Sequence, residues 1–300
     1  GITANVLDLS AGGAITVDTT ASSLTATTSA AGDVDIDQTG AITLTSVSTH
    51  NGSITVDAGG ALIATSISTA NTNSDTNDIT LTTSGGSMQL GSLDAGTLGD
   101  VVLSSDVAVN DDGNDATMVA ANQLQVTAQG AVSVDTAVDS ISVVTSLAGD
   151  IHINESGTIT LANIKSHDGG ITVDAGGAIA ATSVDSSTTD DGTNNIQLTT
   201  SNGAIGAASI NAGGQNDVTL TAAGAIACVV TAIGVWGILF YRSDFGHNAR
   251  YGFPESPLEL PAGLVIPTML PVVAITLVSA AVLVVVSLLT RPPDAALAQS

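Results

Sequence analysis

Lys165 is the first candidate for chemistry because it is the only lysine or arginine among the first 224 residues. Enzymes that cleave acidic polysaccharides generally need a basic side chain beside clustered carboxylates. The sequence around Lys165 supplies carboxylates and imidazoles, namely His152, Glu155, His167 and Asp168. A histidine also stands 117 residues before His167. This recurrence is typical of a scaffold position, so solvated loop residues are the favoured interpretation of the cluster and no catalytic residue is predicted.

Two loops group carboxylates around a glycine and are candidates for calcium binding. Asp111, Asp112 and Asp115 lie in the first loop, and Asp190 with Asp191 lies in the second. Carboxylate oxygens are the ligands that Ca²⁺ prefers. Neither loop has the spacing of an EF-hand or of a calcium-binding nonapeptide repeat, and Asp-Gly-Asn clusters are also ordinary turn sequences. No other metal or cofactor is expected.

A repeat of 117 residues must position these side chains. Residues 52–62, which begin Gly-Ser-Ile-Thr-Val-Asp-Ala-Gly-Gly, return nearly unchanged as residues 169–179. Residues 40–96 match residues 157–213 without a gap at 29 of 57 positions. A repeating unit of this kind buries its apolar face only by stacking against its neighbours. The pattern therefore predicts a solenoid built from two copies, residues 1–117 and 118–227.

The repeat consists of short segments in which apolar and polar residues alternate. In Ile54-Thr-Val-Asp57 the period of two places Ile54 and Val56 on one face of a strand. Turn residues separate such segments, and strands are predicted to begin at Ile15, Val34, Ile42, Ile54, Ile79 and Val101. The sequence predicts an all-β solenoid, a parallel β-helix with about 20–25 residues per coil. No cap is evident at Gly1, so further repeats before it are expected.

Composition divides the chain sharply near residue 224. The residues before this point contain no aromatic residue, proline, cysteine or arginine, and carry 24 of the 28 acidic residues of a chain whose net charge is −24. An acidic surface excludes binding to nucleic acid, whose phosphates need Lys and Arg. A solvated acidic face that keeps the solenoid soluble is the simplest interpretation.

The C-terminal part is apolar and is predicted to be α-helical. We expect a first hydrophobic helix at 228–241, a loop at 242–263, a transmembrane helix at 264–291 and a tail at 292–300. The second run is long enough to cross a bilayer of about 30 Å. The first run is marginal in length, and a capping element of the solenoid is its alternative interpretation. The lipid bilayer is thus an expected partner.

The residues expected to anchor the chain lie within or beside these two runs. Trp and Tyr prefer the membrane interface, apolar side chains the hydrocarbon, and a basic residue the end of a span. The anchor residues predicted on this basis are Trp236, Tyr241, Leu270, Val286 and Arg291.

The repeats built on Gly-x-Ile-Thr-Val-Asp-Ala-Gly-Gly-Ala resemble those of filamentous-haemagglutinin-like bacterial surface adhesins over residues 1–227. This resemblance implies a parallel β-helix, secretion to the cell surface, and a role in adhesion to a host or matrix ligand. It implies no particular ligand. The N-terminal secretion domain typical of that family is not present in this sequence.

Residues 284–293, within the C-terminal part 228–300, resemble the end of a late helix in sodium:solute symporters. No residue that binds the transported ion can be carried over. The favoured function is a non-enzymatic adhesin-type fragment anchored in a membrane through its C-terminus. One alternative is a chimera that joins adhesin repeats to the end of a transporter. Another is a β-helix that binds or cleaves polysaccharide.

Overall fold

The computed structural model describes residues 1–190 and 192–222, and the backbone alone at residues 258–260 and 264–266. Residues 1–222, apart from Asp191, form 22 strands and no helix. In chain order these are β1 (Val6–Ala11), β2 (Ile15–Thr19), β3 (Ser23–Thr28), β4 (Val34–Gln38), β5 (Ile42–Ser48), β6 (Ile54–Ala58), β7 (Leu62–Ser68), β8 (Ile79–Thr83), β9 (Met88–Asp94), β10 (Val101–Ser105), β11 (Val109–Asp111), β12 (Val119–Ala128), β13 (Val132–Thr145), β14 (Ile151–Glu155), β15 (Ile159–Lys165), β16 (Ile171–Ala175), β17 (Ile179–Ala181), β18 (Val184–Asp185), β19 (Ile196–Thr200), β20 (Ile205–Ala207), β21 (Ile210–Asn211) and β22 (Val218–Ala222).

Every predicted strand start is confirmed, because alternation decides which residues point inward. In β6, Ile54 and Val56 are fully buried while Asp57 is exposed. The same alternation recurs along the other strands and leaves an aliphatic core without aromatic residues. Successive coils place similar residues above one another, as in the buried ladder of Val34, Ile54 and Ile79. The predicted all-β parallel solenoid is therefore confirmed.

The strands form two parallel stacks, which we call stack A and stack B. Stack A contains β2, β4, β6, β8, β10, the second halves of β12 and β13, β15, β17, β18, β20 and β21. Stack B contains β1, β3, β5, β7, β9, β11, the first halves of β12 and β13, β14, β16, β19 and β22. With about 4.8 Å between neighbouring strands, this solenoid is about 50 Å long.

The 117-residue repeat spans five and a half turns rather than a whole number. β6 lies in stack A, yet its counterpart in the second copy, β16, lies in stack B. β4 and its counterpart β14 are divided in the same way. Equivalent residues of the two copies therefore face opposite sides of the solenoid, about 26 Å apart along its axis.

Two long strands, β12 and β13, contribute to both stacks and are 10 and 14 residues long. Each strand crosses a corner of the coil without a turn sequence. In β13, Val132–Thr136 pairs with β14 in stack B. Farther along the same strand, Ser140–Val144 pairs with β15 in stack A.

Polar side chains at the corners hold the turns. Thr49 Oγ1 donates to the carbonyl of Gly52 over 2.6 Å, and Thr83 Oγ1 donates to the carbonyl of Gly86 over 2.7 Å. Both threonines are buried. Because a buried hydroxyl without a partner is costly, these bonds fix where each coil bends.

The described C-terminal residues differ from the prediction of a loop at 242–263 followed by a helix from residue 264. Leu258–Leu260 (β23) and Leu264–Ile266 (β24) form an antiparallel pair. β-branched Val265 and Ile266 favour a strand, and the proline after Ile266 disfavours helical backbone before it. The remainder of the predicted segments 228–241, 264–291 and 292–300 lies outside the described residues. Among the described residues, no helix is capable of spanning a membrane.

The Gly-Gly turn after β6 yields a test of the close contact between coils. A Cβ at Gly59 would clash with the carbonyl oxygen of Thr39 in the preceding coil, and a Cβ at Gly176 would clash with that of Ser156. Gly59→Ala and Gly176→Ala are expected to destabilise the solenoid by about 1–3 kcal/mol each. Denaturant unfolding followed by the β signal in circular dichroism measures the loss.

Gly40→Ala is the matched control, because Gly40 occupies the equivalent turn after β4 and has nothing within 4 Å of an added Cβ. Equal losses at Gly40 and Gly59 would show that turn flexibility, rather than contact between coils, sets the requirement for glycine.

Candidate functional site

The structure does not bring the candidate residues around Lys165 together. His152 and Glu155 lie on β14 in stack B, whereas Lys165 ends β15 in stack A. Because β14 and β15 belong to different stacks, closeness in sequence does not become closeness in space here. His152 is in register with Thr172 rather than with His167.

The remaining members of that cluster have structural partners. The backbone N–H of His167 donates to Thr145 Oγ1 over 3.1 Å. Asp168 Oδ1 accepts from Thr189 Oγ1 over 2.7 Å and from Asn194 Nδ2 over 3.2 Å, which ties two neighbouring loops together. These contacts match the interpretation of the cluster as scaffold and loop residues.

Lys165 acts electrostatically on Asp185, its register neighbour in the next coil. Burial alone would raise the pKa of Asp185. Hydrogen bonds from Ser187 and the charge of Lys165 outweigh the burial and hold the pKa below its ordinary value. Lys165 thus stabilises the charged form of Asp185, which ends β18 in the next coil.

The described calcium candidates Asp111 and Asp112 accept hydrogen bonds from their own loop, and Asp190 accepts them from the next coil. Asp111 Oδ2 accepts from the N–H of Gly113 over 2.7 Å, and Asp112 Oδ1 accepts from Thr117 Oγ1 over 2.8 Å. Asp190 Oδ1 accepts from the N–H of Gln215 over 2.8 Å.

No group of three or more His, Cys, Asp or Glu side chains is placed to hold a metal in the part of the chain that the structure describes. Asp115 is exposed in its loop, and Asp191 lies outside the described residues. Calcium binding stays a prediction of the sequence. The anchor residues lie outside the described residues as well, and they are Trp236, Tyr241, Leu270, Val286 and Arg291.

One groove occurs twice on the surface of the part of the chain that the structure describes. The first groove, of about 420 Å³, runs along stack A and is lined by Asp18, Asp37, Gln38, Thr39, Asp57, Ala58, Gly59, Thr82 and Ser84. The second groove, of about 370 Å³, is lined by Asn154, Glu155, Ser156, Asp174, Ala175, Gly176, Thr199 and Ser201. Each residue of the second groove stands 117 positions after one of the first. The two grooves therefore lie on opposite stacks.

A ladder of carboxylates lines the first groove. Asp18, Asp37 and Asp57 are in register on three successive coils. Partial desolvation, and then repulsion from Asp35, Asp18 and Asp57, raise the pKa of Asp37 above its ordinary value of 3.8. Stacking like charges about 4.8 Å apart makes the outer face electrostatically unfavourable even though the inner face is well packed.

The second groove relieves this repulsion through two differences in sequence. Asn154 replaces Asp37, and its Nδ2 donates to Asp135 Oδ1 over 3.1 Å. His152 replaces Asp35 and lies 3.8 Å from Asp174. The scaffold of the two grooves is the same, but the first is uniformly acidic and the second is mixed.

A buried polar side chain closes the inner wall of each groove. Gln38 Oε1 accepts from the N–H of Ala21 over 3.2 Å, and Gln38 Nε2 donates to the carbonyl of Ala21 over 3.0 Å. At the equivalent corner, Glu155 accepts from the N–H of Val138 over 3.1 Å and from the N–H of Gly157 over 2.7 Å. Glu155 is 2% exposed, so these donors compensate its desolvation.

Sequence reasoning missed both grooves. The spacing of Asp18, Asp37 and Asp57 by 19 and 20 residues, one coil each, was a usable signal for the ladder. Glu155 was weighed only as a neighbour of Lys165 in sequence, and the corner geometry reveals its structural part.

Comparison of the chain with protein-family models, with curated proteins and with solved structures found no match.

The carboxylate ladder predicts an effect of pH on stability. A carboxyl whose pKa is raised by folding costs stability above its unfolded pKa, so Asp37→Asn is expected to raise the unfolding temperature at pH 7. The difference from the unchanged chain should vanish as the pH falls below 3.8, where Asp37 is protonated in both states. Thermal unfolding of both chains between pH 3 and pH 7 measures this difference in unfolding temperature.

The reciprocal control is Asn154→Asp, which places a carboxylate at the equivalent rung of the second groove. It should lower the unfolding temperature at neutral pH, because it adds charge beside Asp135 and removes the amide donor. A gain in Asp37→Asn that persists at pH 3 would contradict the electrostatic explanation.

Glu155 provides a test of the corner. Glu155→Ala leaves the N–H groups of Val138 and Gly157 without acceptors and is expected to cost about 3 kcal/mol. Glu155→Gln is expected to cost about 1 kcal/mol or less, because Gln38 fills the same corner in the first copy. Urea unfolding measures both, and equal losses would contradict a hydrogen-bonding role.

Proposed function

We propose that this chain is a non-enzymatic, adhesin-type β-helical surface protein that presents the side faces of its solenoid to a host or matrix ligand. The observation that carries the proposal is the groove that recurs on opposite stacks, on a scaffold whose candidate catalytic side chains are dispersed. The second part of the proposal is attachment to a membrane through the C-terminal apolar runs, at the cell surface. The resemblance of the repeats to surface adhesins supports both parts.

The geometry supports binding in a specific way. A half-turn offset between copies gives one molecule two related recognition faces that point in opposite directions. Two faces on one rigid body can bridge two ligands, and bridging raises overall avidity without new contacts. The net charge of −24 favours ligands that carry cationic groups, or ligands bound through a bridging cation, over nucleic acids.

The polar loops are the second element proposed to recognise ligand. Residues 71–77 lie between β7 and β8 in the first copy, and residues 188–194 lie between β18 and β19 in the second. Asn77 is fully buried beneath the first loop, where its Nδ2 donates to Thr72 Oγ1 over 2.7 Å. The first loop is therefore held in one arrangement by the scaffold, which lowers the entropy lost on binding.

The proposal predicts adhesion by the full chain in a bilayer. The 300-residue chain should float together with liposomes in a density gradient, because its apolar runs anchor it in the bilayer. The same liposomes should be retained at least threefold more on a surface coated with fibronectin and collagen than on albumin. Replacing residues 71–77 and 188–194 by Gly-Ser segments of equal length should reduce retention toward the albumin level.

Two outcomes separate the alternatives. If the chain does not float with liposomes but the detergent-solubilised chain still adheres, the membrane anchor is excluded and the adhesin function remains. This result is expected of a chimera. Release of reducing ends from acidic polysaccharide by the full chain, abolished in Lys165→Ala, would replace the adhesin with a polysaccharide-cleaving β-helix. Lys165→Ala should leave adhesion unchanged.

A further inference from the structure

A third concavity, which we call the corner cavity, lies where β12 and β13 cross from stack B to stack A. Its volume of about 470 Å³ falls within the range of about 300–1,000 Å³ that is usual for small-molecule sites. The coils on either side turn this corner through connecting segments, residues 95–100 and 156–158. β12 and β13 cross it as continuous strands, so two coils without a turn leave a recess between two coils that have one.

The floor of the corner cavity is apolar. Ala120 is in register with Ala137, and Ala121 is in register with Val138. Ala121 and Val138 are buried, whereas Ala120 and Ala137 are half-buried, so a ligand can reach their methyl groups. These small side chains set the depth of the recess, and their methyl groups offer no hydrogen bond.

Three carboxylates surround this floor, and no lysine, arginine or histidine lines the cavity. Asp94 is in register with Ala120 on the coil before the floor, and Asp139 lies two residues beyond Ala137 on the last coil of the floor. Asp94 Oδ1 accepts from the N–H of Gly96 over 2.9 Å. The exposed carboxylate of Asp139 accepts no hydrogen bond from the described residues. The rim is therefore acidic on two different sides of an apolar floor.

Glu155 is the third carboxylate, and the fold holds it in the cavity wall. It is 2% exposed, and the N–H groups of Val138 and Gly157 donate to it. Water screens a buried charge less than an exposed one, so Glu155 acts strongly on a cation inside the cavity. Glu155 and Ser156 also line the second groove, which extends toward the following coils, whereas the corner cavity extends toward the preceding coils.

The equivalent corner of the first copy carries neutral polar residues instead. Thr3, Thr20, Ser22 and Gln38 stand there in place of Ala120, Ala137, Asp139 and Glu155. Thr20 Oγ1 donates to Thr3 Oγ1 over 2.9 Å, so two hydroxyls bonded to each other occupy the positions of the two floor methyl groups. Of the two equivalent corners, only that of the second copy combines an apolar floor with an acidic rim.

We propose that the corner cavity binds an aliphatic polyamine, which is an alkyl chain that carries at least two ammonium groups. The methylene groups of this ligand are buried against the alanine floor, which favours binding through the hydrophobic effect. Its ammonium groups donate charge-assisted hydrogen bonds to Asp94 and Asp139 on different sides of the floor. The binding of a soluble polyamine goes beyond adhesion and does not depend on it.

Isothermal titration calorimetry of the full chain in a non-ionic detergent tests the proposal, with cadaverine, a diamine on a five-carbon chain, as the probe. Cadaverine should bind about tenfold more tightly than pentylamine, because it makes one more charge-assisted hydrogen bond on the same alkyl chain. Pentanediol has the chain length but no charge and should bind more weakly than both amines. Equal affinities for cadaverine and pentanediol would overturn the proposal.

A variant that carries the first copy's residues tests the location. The triple substitution Ala120→Thr, Ala137→Thr and Asp139→Ser introduces side chains that the equivalent corner already accommodates, so the fold should be retained. Circular dichroism checks that retention. The Kd for cadaverine should rise by about tenfold or more, because the ligand loses the Asp139 carboxylate and part of the apolar floor.

Asp106→Asn is the matched control for charge, because exposed Asp106 lies in the turn after β10 and does not line the corner cavity. It removes one negative charge, as Asp139→Ser does, and should change the Kd by less than about twofold, since solvent and salt screen a distant exposed charge. An equal rise in Kd for the control and the triple variant would mean that the net charge of −24 attracts polyamines without a site. That result, or an unchanged Kd in the triple variant, would contradict the proposal.

Discussion

The parallel hydrogen-bond ladder between successive coils is the interaction on which the rest of the structure depends. It fixes the register of every strand against the coil before and after it, so each residue stacks on an equivalent residue. On the inner side this produces the ladder of Val34, Ile54 and Ile79, which buries aliphatic side chains without any aromatic residue. On the outer side it produces the ladder of Asp18, Asp37 and Asp57, which places like charges together. One geometric constraint therefore creates both the main stabilising contact and the main electrostatic cost.

The number of half-turns in the repeat decides on which stack the second copy of each motif lies. A repeat of whole turns would place equivalent motifs on one side and would lengthen a single binding face. Five and a half turns place β6 and β16 on opposite stacks, so the duplication produces a second face instead. The two grooves follow from that offset.

Much of this fold was readable from the sequence, because alternation and turn residues mark each strand locally. Ile54 begins a strand in the first copy and Ile171 begins its counterpart in the second, as the repeat predicts. The assignment of strands to stacks was not readable. It depends on how many corners the chain crosses, and β13 crosses a corner in mid-strand with no turn sequence to reveal it. For that reason the sequence did not reveal that Lys165 and Glu155, which are near each other in sequence, lie on opposite stacks.

The two copies also show which constraints act on each position. Inward residues are constrained by packing, and Ile54 and Val56 are retained in the second copy as Ile171 and Val173. Outward residues are constrained only by solvent, by charge and by any binding partner. Here His152 and Asn154 of the second copy stand where the first copy has Asp35 and Asp37. The exchange of a carboxylate for an amide that bonds to Asp135 relieves the repulsion between stacked carboxylates, so stability alone accounts for it. The second groove is thus less acidic than the first and carries an additional hydrogen bond between side chains of neighbouring coils, on an unchanged scaffold.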